Sequence, residues 1–258
     1  MSVIQRILKP LKCLSRYRIL QYRGSNVVYL TLTGISKLYA LFFTTTDYYI
    51  VPTPYGKLYL PKKGYSSGHI LTCLLDMVEP QWQPYFESLI RCMTEGVLVD
   101  IGAAADGWYS LKACKMNPKI RVVAVEPSSF EFYWLINNLT LNGCRERISL
   151  LKVALSDTDE IVDLNGEKVH SMRLDELLKA AGIAYRDVKI LKIDVEGMGY
   201  RVLKGALKTL QIGKPHIFLE VHDSEEAKTK GFLEKLNYKV VYLPGAMYFA
   251  TPNQRLPN

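Results

Sequence analysis

Acidic side chains follow several apolar stretches of this sequence, each close to the point where the stretch ends. They are Asp100, Glu126, Asp157, Asp194, Glu196 and Glu220, and His222 comes just after the last of them. Any one of these carboxylates could cap a helix N-terminus, and capping accounts for Asp157 as well as a functional role does. Acidic residues at successive strand ends favour a shared ligand site, because the carboxyl ends of parallel strands meet at one edge of a sheet.

The turn after Asp100 is made of small residues. Gly102 and Gly107 tolerate backbone angles that other residues resist, and Ala103 adds little bulk. A ligand could therefore lie against bare backbone at the N-terminus of the following helix. Taken alone, the turn is equally typical of an ordinary strand-to-helix connection.

Glu126 and Pro127 close the next apolar run about 20 residues after the glycines, where nucleotide-binding α/β folds place a carboxylate for the ribose hydroxyls. The glycine motifs that bind a pyrophosphate, G-x-G-x-x-G and G-x-x-x-x-G-K-[ST], do not occur. An adenosyl group without phosphates fits better and points to S-adenosylmethionine. Ser156 and Asp157 follow a third run, where Asp157 could accept a hydrogen bond from the adenine amino group.

The elements that must position these residues alternate along the chain from Gly96 onward. The predicted strands are Val97–Ile101, Ile120–Glu126, Ile148–Ala154, Val188–Val195, His216–Val221, Tyr238–Leu243 and Met247–Ala250. The predicted helices are Trp108–Lys115, Ser129–Leu141, Leu174–Ala181, Tyr200–Leu210 and Glu225–Leu236. This pattern predicts an α/β fold with a Rossmann-like, doubly wound, seven-stranded and mostly parallel sheet, whose last strand returns antiparallel. A small strand pair is expected within residues 159–171.

Three segments are predicted: a basic apolar extension over residues 1–46, a hairpin and helical lead-in over 47–95, and the main domain over 96–258. The extension carries seven basic residues and no acidic one, whereas the remaining charges nearly balance. It could lie on an anionic membrane surface, contact nucleic acid, or pack on the domain with its Lys and Arg in water. Residues 25–43 are too interrupted by polar residues to predict a membrane span.

The cysteine and histidine spacings give no indication of a metal site. The five cysteines are odd in number and form no C-x-x-C pair, so we expect reduced thiols in a cytosolic protein. The four histidines lack the spacing of metal ligands. No metal site is predicted, although Glu196 and Glu220 could share a divalent cation with Asp194.

Six motifs together resemble the FkbM family of S-adenosylmethionine-dependent methyltransferases. In order they are VDIGAAADGWYSL, VVAVEPSSFEFYWLINNLTLN, VALSD, MRLDELL, ILKIDVEGMGYRVLKGA and IFLEVH, and together they span roughly Val97 to His222. The resemblance implies a class I methyltransferase sheet and methyl transfer to an oxygen, often a sugar or polyketide hydroxyl. The first motif has one residue more between Ala103 and Gly107 than the usual D-[VI]-G-A-N-x-G form.

The resemblance also suggests roles for the acidic residues. Methyl transfer from a sulfonium requires alignment of the acceptor oxygen and removal of its proton, for which Asp194 is the first choice and His222 the second. Lys192 shares strand parity with Asp194 and could point into the site or close over the sheet edge. Glu196 completes the catalytic candidates. The expected cofactor contacts are Asp100, Gly102, Ala103, Gly107, Glu126, Pro127, Ser156 and Asp157.

The expected acceptor is a small molecule, a glycan or a lipid-linked compound. An RNA ribose 2′-O-methyltransferase is an alternative, since Lys192, Asp194 and Glu220 resemble part of a Lys-Asp-Lys-Glu set, but no aromatic and basic recognition module accompanies them. A cofactor-binding scaffold without turnover is a second alternative, against which the intact carboxylate set argues. We expect a cytoplasmic protein with peripheral membrane contact through residues 1–46.

Overall fold

The computed structural model describes residues 47–221, 226–244 and 246–253. The chain divides into two compact units, one ending at Gln83 and the other beginning at Pro84. The basic extension of residues 1–46 lies outside the described residues, and so does His222. Among the residues that the structure describes, no helix is long and apolar enough to cross a membrane.

The first unit contains the predicted hairpin and a short helix. Strands β1 (Tyr48–Thr53) and β2 (Gly56–Pro61) pair antiparallel, and helix α1 (Ser67–Leu75) follows. The Ser66 hydroxyl accepts a hydrogen bond from the backbone N–H of His69, which satisfies one of the free donors at the start of α1.

The second unit is built on a large central sheet and a smaller one. Its strands are β3 (Val97–Ile101), β4 (Arg121–Val125), β5 (Ile148–Leu151), β6 (Ala154–Leu155), β7 (Glu160–Leu164), β8 (Glu167–Met172), β9 (Val188–Ile193), β10 (His216–Glu220), β11 (Tyr238–Leu243) and β12 (Met247–Pro252). The seven-stranded sheet has the order β11-β12-β10-β9-β3-β4-β5. Strands β10, β9, β3, β4 and β5 run parallel, and β12 is antiparallel to both of its neighbours. The predicted mostly parallel sheet with an antiparallel return is confirmed.

Helices precede and connect the strands of the central sheet. They are α2 (Gln83–Cys92), α3 (Trp108–Met116), α4 (Ser129–Leu141), α5 (Leu174–Ala180), α6 (Gly199–Gly205) and α7 (Glu226–Lys235). The strand pair predicted within residues 159–171 is present as β7 and β8, and β6 adds a third strand to that sheet.

The two faces of β3 serve different purposes. Val97, Val99 and Ile101 are buried in the main apolar core of this unit. Alternation along the strand sends Leu98 and Asp100 to the opposite face. A carboxylate is thus buried at the end of a central strand, on the face away from that core.

The helix predicted over Tyr200–Leu210 is shorter than expected. It ends at Gly205, where a Cβ atom would lie 2.1 Å from the Ser156 carbonyl oxygen. Past this point the Asp175 carboxylate accepts hydrogen bonds from the backbone N–H groups of Lys208 and Thr209, at 2.8 and 3.0 Å. These contacts open a separate π-helical turn over Thr209–Gly213. The prediction of one continuous helix was wrong because the break depends on contacts distant in sequence.

The expectation that all cysteines are reduced is also wrong. Cys114 near the end of α3 and Cys144 just after α4 form a disulfide, with their Cα atoms 6.2 Å apart. The two cysteines are separated by 30 positions, and only the packing of α3 beside α4 brings them together. Cys73 and Cys92 form no disulfide.

Candidate active site

Asp100 is buried at the end of β3, and its side chain is 1% exposed. Its Oδ2 accepts hydrogen bonds from the backbone N–H and the hydroxyl of Ser110, at 3.0 and 2.6 Å. Its buried Oδ1 has no hydrogen-bond partner among the described residues. Burial raises the pKa of the Asp100 carboxyl, while the positive charge of Lys192 and the Ser110 hydrogen bonds act against that rise. The strand end therefore presents a buried acceptor oxygen that is still available.

The turn after β3 can exist only with glycine at position 102. Gly102 has a φ of +75°, and a Cβ atom there would lie 1.8 Å from the backbone oxygen of Asp194. The N–H groups of Gly102 and Ala103 both donate to the Val125 carbonyl, at 2.9 and 3.1 Å. These bonds hold the turn between β4 and β9, and the close approach of the Asp194 backbone explains the glycine.

Glu126, directly after β4, forms hydrogen bonds with the backbone of the same turn. Its Oε2 accepts from the Ala104 N–H at 3.0 Å, and its Oε1 accepts from the Ser128 N–H at 2.9 Å. Ala104 takes a left-handed conformation, with φ of 54°, in the part of the turn that carries the additional residue of the first motif. Burial raises the pKa of the Glu126 carboxyl to about 7, and the two N–H donors limit the rise.

Helix α4 supplies further contacts to the turn. The Glu131 carboxylate accepts from the Ala105 N–H at 2.8 Å, and the Asn138 amide donates to the Ala105 carbonyl at 2.7 Å. A Cβ atom on Gly107 would lie 2.5 Å from the Leu135 side chain. The left-handed backbone at position 107, with a φ of +55°, favours glycine there, while its predicted contact with a cofactor stays a prediction.

Lys192 and Asp194 lie across the turn from Glu126. Lys192 is 4% exposed, and its Nζ lies 3.0 Å from Oδ2 of Asp194 and 3.4 Å from the Gly102 carbonyl oxygen. Lys192 and Asp100 are register partners in β9 and β3, so both side chains leave the sheet on the same face. The Tyr109 ring lies under the ammonium, with 5.3 Å between Nζ and the ring centroid. Lys192 thus lies at the sheet edge between the Gly102 turn and Asp194, and its catalytic role stays a prediction.

The sequence profile of the methyltransferase FkbM domain matches residues 100–240, which is more than half of the chain. The chain belongs to the FkbM methyltransferase family. The matched range contains Asp100, Glu126 and Asp194, and it contains the turn that Gly102 and Ala104 form. This FkbM protein carries the methyltransferase domain of its family on a mostly parallel, seven-stranded sheet.

Solved structures support the same fold. The methyltransferase FkbM from Methylobacillus flagellatus is 20% identical, with a TM-score of 0.52 over 71% of this chain and 52% of that chain. The present FkbM chain thus spans about half the length of that relative. The N-terminal domain of human METTL16 is 16% identical, with a TM-score of 0.52 over 89% of this chain and 94% of that chain. The same human domain in complex with SAH gives a TM-score of 0.50. A comparison with curated proteins finds no match.

Other predicted residues of this FkbM protein lie at or just past the ends of strands of the central sheet. Asp194 is half-buried, and one of its carboxylate oxygens lies within 4.8 Å of one from Glu220 at the end of β10. Glu196 is exposed in the turn before α6, and Pro127 is half-buried just past β4. His222 follows β10 in sequence but lies outside the described residues, so its catalytic role stays a prediction.

Asp157 is already engaged by two cations. Its Oδ1 lies 2.6 Å from Nε of Arg201, its other oxygen pairs with the Lys204 ammonium, and the buried Ser156 hydroxyl donates to it. The hydrogen bond from Lys204 holds the pKa of the Asp157 carboxyl well below its usual range, and that from Arg201 adds to the effect. The assignment of Ser156 and Asp157 to an adenine ring stays a prediction, with Asp157 firmly in its ionised form.

Sequence reasoning missed Ser110, Glu131, Asn138 and Tyr109 as parts of this FkbM site. A signal existed for Glu131, because Ser128 and Glu131 have the spacing of a capping box. The Ser128 hydroxyl does accept from the Glu131 N–H, at 3.3 Å, but the Glu131 carboxylate bonds the turn after β3 instead of returning to Ser128. For Ser110 and Tyr109 on α3 the local sequence gives no signal, since their partners Asp100 and Lys192 lie on strands β3 and β9.

Proposed function

We propose that this chain is an S-adenosylmethionine-dependent O-methyltransferase that acts on a hydroxyl of a sugar, a glycolipid or another small metabolite. The family membership supports methyl transfer. The observation that carries the choice of cofactor is the buried Oδ1 of Asp100, an acceptor oxygen without a partner among the described residues, at the start of the Gly102 turn. A buried acceptor without a hydrogen-bond donor destabilises the folded protein, so a ligand that supplies a donor would be bound favourably here.

The charges around the turn favour a cationic cofactor without phosphates. Three carboxylates surround the turn. Those of Glu126 and Glu131 accept hydrogen bonds from its backbone, and that of Asp100 lies where the turn begins. In their ionised forms these carboxylates would repel a pyrophosphate and attract an amino group and a sulfonium. The residues present thus fit S-adenosylmethionine.

Each half of the cofactor has residues suited to hold it. Asp100 and the backbone of Gly102 and Ala103 would hold the amino acid end. Glu126 would accept the hydrogens of the ribose hydroxyls, for which each of its oxygens keeps a lone pair beyond its single backbone donor. Gly107, Pro127, Ser156 and Asp157 complete the proposed contacts.

Asp194 is the proposed acceptor-side residue. The bound cofactor would supply a methyl group on a sulfonium, which is a good leaving group. Asp194, half-buried beside the turn, would orient the acceptor hydroxyl and accept its proton. His222 is retained as a second proton acceptor, and Glu196 as a contact for the acceptor.

The acceptor class and the membrane contact are part of the proposal. The FkbM resemblance supports a sugar, lipid-linked or small-molecule hydroxyl as the acceptor. The seven basic residues of the extension, unaccompanied by any acidic one, support contact with an anionic membrane surface at which a lipid-linked acceptor would be found.

Titration calorimetry with S-adenosylmethionine and S-adenosylhomocysteine tests the proposal. We expect both to bind, and Glu126→Ala to weaken binding by about 1–3 kcal/mol because the ribose hydroxyls lose their acceptor. Glu146→Ala, which removes an exposed carboxylate, is the matched control and should bind like the parent. Unchanged binding in Glu126→Ala would remove Glu126 from the site, and a parent protein that binds neither compound would refute the proposal.

The acceptor class needs a second measurement. The purified protein with methyl-labelled cofactor should label a component of a glycan and lipid extract. Label found only in a total RNA fraction supplied alongside would support the RNA alternative and contradict the proposed acceptor class.

A further inference from the structure

Lys192 is a buried cation with partners on both sides of the candidate site. Its Nζ donates to Oδ2 of Asp194 at 3.0 Å and to the Gly102 carbonyl at 3.4 Å. It also faces Asp100 across β3 and β9, and its charge acts on the buried Asp100 carboxyl. One ammonium thus touches the cofactor turn and the acceptor-side carboxylate together.

We propose that Lys192 is a positioning residue that fixes the Gly102 turn relative to Asp194, so that the cofactor and the acceptor are held in one arrangement. The inference rests on the proposed function, because it assigns the turn to the cofactor and Asp194 to the acceptor. Lys192 itself need not touch either substrate.

The surroundings of Lys192 explain why a cation is needed at this place. Asp100 from β3, Asp194 after β9 and Glu126 after β4 are carboxylates that interact with its charge. Glu220, close to Asp194, adds another carboxylate on the β10 side, and the Tyr109 ring covers the ammonium. Without Lys192, several carboxylates would converge with no cation at their centre, and mutual repulsion would displace Asp194.

A second buried lysine provides an internal comparison. The Lys112 side chain is 0% exposed, and its Nζ lies 2.7 Å from Oε1 of Glu87. This ion pair joins α3 to α2. Loss of Lys112 and loss of Lys192 both remove a buried ammonium from a carboxylate, but only the second removes the link inside the site.

The test compares methyl transfer by the full-length protein and its variants at saturating S-adenosylmethionine, with the labelled extract fraction as the acceptor. We expect Lys192→Met to slow transfer by about tenfold to a hundredfold, since small misplacement of a reacting group has effects of this size. Lys112→Met should lower the melting temperature yet keep the rate of the folded protein within about twofold of the parent. Lys192→Gln, which keeps an N–H donor without the charge, is used if Lys192→Met does not fold.

A double-mutant cycle separates positioning from a merely structural role. If Lys192 acts through Asp194, then adding Lys192→Met to Asp194→Asn should slow transfer no further than Asp194→Asn alone, to within about twofold. A purely structural loss would reduce the rate by the same factor in both backgrounds.

The outcomes also separate this inference from the proposed function. A parent protein that fails to bind S-adenosylhomocysteine in calorimetry would refute the proposed function. A parent that binds and transfers, together with Lys192→Met or Lys192→Gln that transfers at the parental rate, would overturn only the role of Lys192. If Lys192→Met slows transfer by the same factor with and without Asp194→Asn, the positioning role of Lys192 is overturned as well.

Discussion

At the scale of single residues, Glu126 ties protonation to the stability of the folded chain. Its pKa of about 7 lies above the ordinary value of 4.5, because burial disfavours the charged form. An acid of this kind stabilises the folded state below pH 4.5, and the contribution is lost as the pH rises through about 7. Between pH 4.5 and about pH 7, the free energy of unfolding falls by roughly 3 kcal/mol through this group.

This linkage predicts how the free energy of unfolding changes with pH in a Glu126→Gln variant. Glutamine cannot ionise, so the loss of stability that Glu126 causes between pH 4.5 and about pH 7 should vanish from the variant. The free energy of unfolding is measured by denaturant unfolding of the unliganded parent and variant at a series of pH values. The difference between parent and variant isolates Glu126 from other groups, including His216, whose pKa burial lowers. Parallel curves for the two proteins would contradict the prediction.

At the scale of elements, the turn between β3 and α3 depends on the close approach of two backbones. Gly102→Ala should destabilise the protein by about 3 kcal/mol or more, because its Cβ atom would lie 1.8 Å from the Asp194 backbone oxygen. Gly166→Ala is the matched control: Gly166 has a φ of +89°, but a Cβ atom there meets nothing within 4 Å. It should cost only about 1 kcal/mol. Chemical denaturation compares them, and equal losses would show that backbone strain alone explains Gly102.

The disulfide between α3 and the segment after α4 is a second property of the elements. It closes a loop of 30 positions, so its removal should destabilise the chain by about 3–4 kcal/mol through the entropy of the unfolded state. Cys114→Ser should lower the melting temperature accordingly. Cys92→Ser, at an exposed cysteine without a disulfide, should leave it nearly unchanged. Mass spectrometry of the unreduced protein that finds Cys114 as a free thiol would contradict the bond.

At the scale of the whole molecule, the uneven distribution of charge predicts membrane attraction. Each Lys or Arg near an anionic surface contributes about 1 kcal/mol, so replacing Arg16, Arg18 and Arg23 with glutamine should weaken liposome binding by about a hundredfold. Co-sedimentation with anionic vesicles measures this, and neutral vesicles serve as the control. Affinity for S-adenosylhomocysteine should stay unchanged. Equal binding of the parent to neutral and anionic vesicles would rule out the electrostatic contact.

The sequence by itself determined the order and type of the main elements. Apolar runs such as Val97–Ile101 and the helical patterns between them are local periodicities, and they predict an alternating α/β sheet without knowledge of any contact. The same locality allowed acidic strand ends such as Asp100, Glu126 and Asp194 to be recognised. The family motifs could be recognised for the same reason, because each is a contiguous segment of the sequence.

Only the tertiary structure decided which side chains meet. Lys192 reaches the carbonyl of Gly102 across 90 positions of sequence, and Glu131 turns from its own helix end to the turn after β3. Asp157 forms an ion pair with Arg201, and Cys114 forms a disulfide with Cys144. These pairings follow from strand order, register and helix packing, which join residues far apart in sequence. A local pattern can place a carboxylate at a strand end, but it cannot say which cation will lie beside it.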